Sequence, residues 1–587
     1  MFETLFPNII HFLFSLSALA FWSLPVLWLV RQVKAINVWL YLWQLKEYHI
    51  GRFIDHFRTT KGKKLVCNKA IAIKFLFFLI FISQAIYFVF AYPLDKIVSR
   101  PDIVEDFLPF LQVGSFIGLF GMYSFEAYRG IRNFIKRLYI PVFTKKIIFL
   151  FFIGITVQIF LPLSLFLTPV FASIFPDSFK SFTAGILMFF ALGIFVDLAT
   201  PIIVSAIVLI FQPFAMLGKR HIIAKAKQKR ANLKNLKVVG ITGSYGKTST
   251  KEFLFTILQE KFRVLKTPEH RNSEIGISQT ILNDLKEDHQ IFICEMGAYN
   301  KGGVKLLAEI AQPQIAILTG ANEQHLALFG SMENLLSAEG GGELVETLPE
   351  NGTVIINGYS EKLKTQIPRL RQTYSGQVKL KKFIVAGEDM RAANVRVEKE
   401  NIYFEVDGVQ FQVSVCGGHN VQNLSVAIAA ARELGMGLKE IAEACEKITQ
   451  DMGAMKLRKG INGLNIINAT YSANPDGVIA ALEYLKLWEG KKVIVMPCLI
   501  ELGMASEQVH KKIGQKIGEV CDLAIIVTKD KFQAIKEGMA QGKAEVVYSE
   551  NPQAIFEKVR PFTVSDNVLL LEGRIPQQII NQFVEKP

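Results

Sequence analysis

The sequence predicts an α-helical polytopic membrane domain followed by two α/β domains, the second of them Rossmann-like. Three observations predict it. Roughly the first third of the 587 residues is crowded with Phe, Leu and Ile, and the rest has the mix of an ordinary soluble α/β chain. An apolar strand, a glycine loop and a helix follow one another from Lys237. Beyond residue 451, short β-branched runs alternate with helical stretches, the pattern of a parallel sheet. The expected division is a transmembrane domain over 1–217, a basic linker over 218–237, an α/β domain over 238–450 and a second over 451–587.

A hydrocarbon core about 30 Å thick takes about 20 apolar helical residues to cross. Runs at 8–30, 71–92, 107–125 and 147–168 meet that length. A fifth, 183–212, is longer than one span needs. It holds Asp197 and Pro201, which leaves tilting, kinking and splitting open. Residues 1–30 have no basic leader and no small-residue cleavage site, so the first run reads as a retained span and not a signal peptide.

The loops set the orientation. Residues 31–70 carry nine Lys or Arg, 126–146 carry six, and 218–237 are again basic. Loop 93–106 is acidic (Asp95, Asp102, Glu105 and Asp106 against Lys96 and Arg100), and 169–182 has only Lys180. Basic loops stay inside. Five spans with the N-terminus outside satisfy every loop and deliver residue 218 to the cytoplasm. The formal charge of +14 is therefore explained by membrane topology, and no nucleic-acid partner is expected. The cysteines at 67, 294, 416, 445, 498 and 521 form no CxxC pair and fit a reducing compartment.

Residues 37–60 mix Trp, Tyr and Phe with Lys, Arg and His, as an amphipathic helix at the inner interface would. That segment reads either as a surface anchor or as a wall for a lipid headgroup, with Arg52, Arg58 and Lys61–Lys64 beside Trp39, Tyr41 and Trp43. Asp197 reads either as a functional acid deep in a span or as a residue facing water at a kink.

The run Lys237–Thr250 places Gly243, Ser244, Tyr245 and Gly246 between a strand and a helix over 247–260 that begins Lys247, Thr248, Ser249. Glycines let backbone N–H groups approach a phosphate, the helix N-terminus adds a favourable dipole, Lys247 supplies a cation, and the Thr248 hydroxyl suits magnesium. The alternative is a glycine turn that caps a helix. The spacing is GxxGKT, shorter than the usual phosphate loop.

Seven stretches then occur in a telling order: GSYGKTS, TPEHRNSEIG (267–276), EMGA (295–298), the segment ending at His325-Leu326, FGSMEN (329–334), HNVQN (419–423) and ATYSANPDG (469–477). In that order they resemble the Mur ligases, most of all the branch that adds D-alanyl-D-alanine to a muramoyl peptide. The resemblance covers about 236–587 and leaves out 1–217. It implies a central ATP-binding domain, a C-terminal Rossmann-like domain, and a reaction in which ATP activates a carboxylate as an acyl phosphate that an amine then attacks. It also implies roles: Lys247 on phosphate, Thr248 and Glu295 on one magnesium, His325 on a second, Asn423 at the nucleotide phosphates, and Asn474-Pro475 at adenine. Each has a plainer reading, namely a solvated strand-end acid for Glu295, a structural histidine for His325, a helix cap for Asn423 and an ordinary turn for Asn474-Pro475.

The chain departs from the family in places. The family's carbamylated lysine after the FGS segment is missing, because no lysine occurs between Lys305 and Lys362; Glu339 and Glu343 are the candidates to supply a carboxylate instead. The TNxG before the histidine reads Thr319-Gly-Ala-Asn322. GRM becomes Gly453-Ala-Met455, the aspartate before the AYNANP loop becomes Ala469, and KGSR becomes Glu572-Gly-Arg574. Two functions stay open. One is an amide ligase acting with ATP and magnesium on a cell-envelope precursor at the membrane face, joining an amino acid or short peptide to an acceptor that is soluble or polyprenyl-linked. The other is a non-catalytic ATP-binding scaffold.

Overall fold

The computed structural model describes residues 2–46, 48–87, 103–135, 140–167, 178–377, 382–471, 473–540 and 542–584. It divides into two compact units, Met1–Met216 and Leu217–Pro587. Most of loops 93–106 and 169–182, on which part of the charge reading rests, lies outside the described residues.

Among its described residues the first unit forms helices and no strand. Its long helices are Phe2–Leu45, Lys69–Ile86, Ile103–Ile135, Lys145–Leu167 and Ser178–Asn232, the last continuing into the second unit. Among the described residues, four helical stretches are long and apolar enough to cross a membrane: 18–45, 62–86, 145–164 and 183–232. The run at 107–125 lies within Ile103–Ile135, which also carries Gln112, Glu126 and Arg129 and is not one of those four.

Two expectations for this unit need correction. Residues 37–60 do not make one interfacial helix. They comprise the end of Phe2–Leu45, the short helix Ile50–His56 capped by His49, and the start of Thr60–Val66 capped by Thr59. Their aromatic rings turn inward. Trp43 stacks on Phe53 with centroids 3.9 Å apart, and Trp39 and Trp43 are both buried in a shared apolar cluster. Mutual packing has claimed the surface that composition assigned to headgroups. Asp197, similarly, does not face water: it is buried and ion-paired with Lys74 at 2.6 Å.

The described residues of the second unit hold three sheets. The first contains β1 (Lys237–Thr242), β2 (Val264–Lys266), β3 (Ile291–Glu295), β4 (Ile315–Leu318), β5 (Thr353–Asn357) and β6 (Lys382–Ala386). They pair in parallel in the order β2-β3-β1-β4-β5-β6. β1 is central and buried along all but its first residue, as its unbroken apolar run requires. β7 (Ala393–Val397), β8 (Ile402–Val406) and β9 (Val409–Val413) form a small antiparallel sheet.

The third sheet comprises β10 (Lys456–Lys459), β11 (Asn465–Ala469), β12 (Lys492–Met496), β13 (Leu523–Ile526), β14 (Glu545–Tyr548) and β15 (Val568–Glu572), in the order β10-β11-β15-β12-β13-β14. All its pairs are parallel except β10 with β11. Apolar clusters cover both faces of this sheet. In open sheets of this kind ligands gather beyond the carboxyl ends of the strands.

The basic stretch 218–237 is not an irregular linker. It is helical to Asn232 and docks onto the first parallel sheet's domain. Ala226 is buried, and Lys229 donates to the Leu282 and Leu285 carbonyls. The buried Arg230 guanidinium donates to the carbonyls of Ala311 and Gln312, at the C-terminal end of helix Gly303–Ala311. A cation at that end satisfies orphan carbonyls and complements the helix dipole.

Candidate nucleotide and metal site

The site forms at the carboxyl ends of β1, β3 and β4. After Thr242 the chain turns through Gly243 (φ 151°) to Gly246 (φ 78°), which precedes helix Lys247–Leu258. Both turns need glycine. A Cβ on Gly243 would come within 2.1 Å of the Thr319 hydroxyl, and one on Gly246 within 2.5 Å of Asn423 Oδ1. The Thr319 hydroxyl lies within hydrogen-bond reach of the Thr242 carbonyl (3.1 Å) and the Tyr245 carbonyl, donates its one proton to either, and so pins the loop. Tyr245 packs its ring on Gly320, where a Cβ would meet it at 2.2 Å. Lys247 Nζ folds back onto the Gly243 carbonyl, the position a phosphate oxygen would take from it. The turn is therefore a backbone cradle closed by small residues and the Lys247 cation, and it fits a polyphosphate.

Glu295 stands at the end of β3 and is 5% exposed. The Thr248 hydroxyl lies 3.2 Å from both of its oxygens, Asn272 Nδ2 donates to it at 3.1 Å, and Lys251 Nζ is 3.1 Å away. Burial pushes this carboxyl up, but Lys251, Lys247 and the Asn272 amide outweigh burial and hold it below its ordinary range. Thr248 and Glu295, read as sharing one magnesium, are thus brought together. Lys251 and Asn272 had no role in the sequence reading. Lys251 was visible as a second lysine one turn after Lys247, but its complete burial was not.

His325 is placed elsewhere, at φ 66° just before helix Leu326–Phe329. Its Nδ1 lies 3.1 Å from Glu339 Oε1, and its Nε2 lies 3.8 Å from Glu501 Oε2. Glu339, 2% exposed, also accepts a hydrogen bond from the Ser244 hydroxyl of the cradle at 2.9 Å. A ring that donates from Nδ1 to a carboxylate keeps Nε2 as a lone-pair donor, here on the side of Glu501, the arrangement that supports histidine metal ligands. Glu343 is occupied differently: it accepts from the backbone N–H groups of Gly302 and Lys305 and caps helix Gly303–Ala311. Of the two carboxylates left open by the sequence, only Glu339 faces the site.

Among the described residues no three His, Cys, Asp or Glu gather into a ready metal cage. Magnesium does not need one, because it keeps waters and takes phosphate oxygens alongside one or two protein ligands. Thr248 with Glu295, and His325 supported by Glu339, fit that donor set.

Asn423 is not a helix cap. It lies inside helix Asn420–Glu433, bonded to Asn420 and set against Gly246. Ser249 is buried in the first turn of helix Lys247–Leu258. Asn474 caps helix Pro475–Leu485 through the Gly477 N–H, with Pro475 in the first turn. Asn474 and Asp476 also accept from the Asn322 amide, each at 3.0 Å, which ties this helix start to the loop after β4. The ring of Tyr471, in the loop just after β11, stacks on His270 with centroids 5.4 Å apart. Asn322 and Tyr471 join the two α/β domains, a role that spacing alone did not reveal.

Two family models match the chain: the Mur ligase middle domain over 241–431 and the Mur ligase, glutamate ligase domain over 454–574. The chain is 31% identical over 341 residues to the UDP-N-acetylmuramoyl-tripeptide–D-alanyl-D-alanine ligase of Bacillus subtilis (strain 168), covering 57% of this chain and 69% of that protein. It is 29% identical over 345 residues to the protein of that name from Synechocystis, covering 58% of this chain and 71% of the relative. Its fold is similar to MurF from Acinetobacter baumannii (TM-score 0.56, 24% identity, 62% of this chain and 80% of that one). It is also similar to the MurF ligase from Thermotoga maritima, solved in complex with ADP (TM-score 0.53, 24% identity, 62% and 83%). The chain belongs to the Mur ligase family, whose members are ATP-dependent acid–amino-acid ligases.

Proposed function

We propose that this chain is a membrane-embedded ligase of cell-envelope precursor synthesis. It would join an amino acid or short peptide to the carboxylate of a muramoyl-peptide-like acceptor at the cytoplasmic face, using ATP and magnesium. The observation that carries the reading is the cradle Gly243–Gly246 with Lys247, set beside Thr248–Glu295 on one side and Glu339–His325 on the other. The relatives named above, by their names, act on UDP-N-acetylmuramoyl-tripeptide and D-alanyl-D-alanine. ATP would supply the phosphoryl group that turns the acceptor carboxylate into a good acylating agent. Lys247 and the cradle amides would hold the phosphates, and Thr248 with Glu295 would hold one magnesium. His325, oriented by Glu339, would hold a second. Asn322 and Tyr471 would align the C-terminal domain, and with it the incoming amine, over the activated carboxylate.

A scaffold without turnover is favoured chiefly by the missing carbamylated lysine. The buried Glu339 answers that objection, because it offers a fixed carboxylate where the family uses a carbamate. Membrane placement rests on the apolar helices and the basic loops, with the N-terminus outside and residues 218–587 inside. A soluble nucleotide-linked acceptor gives its ligase no need of such helices, so the acceptor is proposed to be lipid-linked. The test compares UDP-linked and polyprenyl-linked muramoyl peptides with the purified full chain. Faster amide formation on the lipid-linked acceptor is expected; turnover of the soluble one alone would remove the lipid from the proposal.

A further inference from the structure

Inside the helical unit, Lys74 Nζ lies 2.6 Å from Asp197 and 2.8 Å from Glu126. Arg31 lies 2.7 Å from Glu126 and 3.4 Å from Asp197, and the Tyr123 hydroxyl donates to Asp197 at 3.2 Å. These four charges cancel. One turn further along two of the same helices stand Lys34 and Arg129, and neither has a carboxylate within ion-pair distance among the described residues. Lys34 lies along helix Ile103–Ile135 at Gly130, where a Cβ would come within 2.9 Å of Lys34 Cδ. Glycine there makes room for the lysine stem beside the helix turn that carries Arg129, whose guanidinium lies over the Phe125 ring, 5.6 Å from its centroid.

On the other side of the balanced layer is an apolar cavity of about 220 Å³, lined among others by Leu24, Trp28, Tyr123, Pro162, Phe190 and Gly193. The same order recurs on three helices. Leu24 and Trp28 precede Arg31 and Lys34; Tyr123 precedes Glu126 and Arg129; Phe190 and Gly193 precede Asp197. Tyr123 belongs to both the cavity and the charged layer. Apolar cavity, balanced charge and spare cations thus follow one another across about three helical turns.

We propose that this seam binds one amphiphile with a phosphate head, its hydrocarbon chain in the cavity and its phosphate on Lys34 and Arg129. Lys34 is half-buried and Arg129 exposed, so both can receive an anion at the edge of the low-dielectric layer, and a phosphate pairs with them by charge-assisted hydrogen bonds. The cavity selects for a chain attached to that head. This proposal rests on the membrane placement proposed above and deepens the lipid-linked reading of the acceptor. It also moves the headgroup seat away from Trp39 and Trp43, whose rings are packed inside.

The test uses the full chain in detergent micelles and calorimetric titration with farnesyl phosphate, farnesol and inorganic phosphate. Saturable binding of farnesyl phosphate is expected, at least about tenfold tighter than either of the others. Lys34→Ala with Arg129→Ala should weaken farnesyl phosphate about tenfold and leave farnesol unchanged, since neither residue has an acidic partner to orphan. Gly193→Leu, whose Cβ would meet Trp28 at an ordinary 3.7 Å, should weaken farnesyl phosphate and farnesol alike by filling the cavity. Unchanged melting temperatures check that both variants fold. Non-saturable uptake, inorganic phosphate binding as tightly as farnesyl phosphate, or a double variant that binds like the parent would each overturn the site. The acceptor reading fails separately. A chain that binds farnesyl phosphate as expected yet ligates only soluble precursors keeps the site and loses the lipid acceptor.

Discussion

Glu339→Gln isolates the feature that sets this chain apart from its lysine-carbamate relatives. The carboxylate accepts from Ser244 at 2.9 Å and holds His325 Nδ1 at 3.1 Å, while itself buried. Each hydrogen bond to a charged partner is worth about 1.5–3 kcal/mol, and glutamine keeps the shape while losing the charge. Loss of the carboxylate behind a metal-binding histidine typically costs about 10–100-fold in metal affinity. Manganese, followed by the loss of its free-ion EPR signal as it binds in the presence of a non-hydrolysable ATP analogue, reads that affinity directly. Glu339→Gln should weaken manganese by that factor and leave metal-free nucleotide binding unchanged. Glu343→Gln is the control: it should cost about 0.5–2 kcal/mol of helix capping and no metal affinity. Equal manganese affinity in Glu339→Gln and the parent, or an equal loss in both variants, would refute the assignment. Because a glutamate needs no carbon dioxide, turnover should also be insensitive to bicarbonate depletion.

Lys247→Ala should weaken ATP binding by at least about tenfold in equilibrium titration, because the phosphates lose the cation at the cradle; unchanged affinity would show that the loop is not the site. Burial pushes the Glu572 carboxyl up to about 8, with one oxygen unpartnered. An acid whose folded value lies above its unfolded one favours the protonated folded state, so stability falls as pH rises from about 4.5 to about 8, by about 1.4 kcal/mol per unit at most. Glu572→Gln should therefore melt like the parent near pH 4.5 and above it near pH 8; parallel curves would mean that the carboxyl is hydrated or paired. With the exposed Cys67 replaced, a cysteine at Val98, outside the described residues, should label from outside and one at Lys225 should not. The reverse pattern would invert the proposed topology.

The phosphate loop was legible because its chemistry is local: glycines, a lysine and a hydroxyl within seven residues. Glu295 could be read as well, since a short apolar strand ends on it. What escaped depended on contacts distant in sequence. The stretch 218–232 showed no apolar stripe because its docking is done by Arg230 and Lys229 on carbonyls 53 to 82 residues away. Residues 37–60 had the composition of an interfacial helix, and only the stacking of Trp43 on Phe53 shows where the rings go. Glu339 and Glu343 were equivalent in sequence. They differ in that one meets Ser244 and His325 and the other meets two free amides of a helix start. Ala469 and Glu572, far apart in sequence, are register partners in neighbouring strands β11 and β15, which spacing cannot show.

Whether the cradle, the two carboxylate-supported metal positions and the C-terminal domain together make an acyl-phosphate ligase is decided by tracing oxygen. An acceptor peptide labelled with oxygen-18 in both atoms of its reacting carboxylate is incubated with the full chain, ATP, magnesium and the amine, and product and phosphate are weighed by mass spectrometry. Each amide formed should keep one labelled oxygen and one should appear in the released phosphate, because phosphoryl transfer joins that oxygen to phosphorus and amine attack expels it. Unlabelled phosphate released whether or not amine is present, with no amide, would contradict the claim and leave an ATP-binding scaffold.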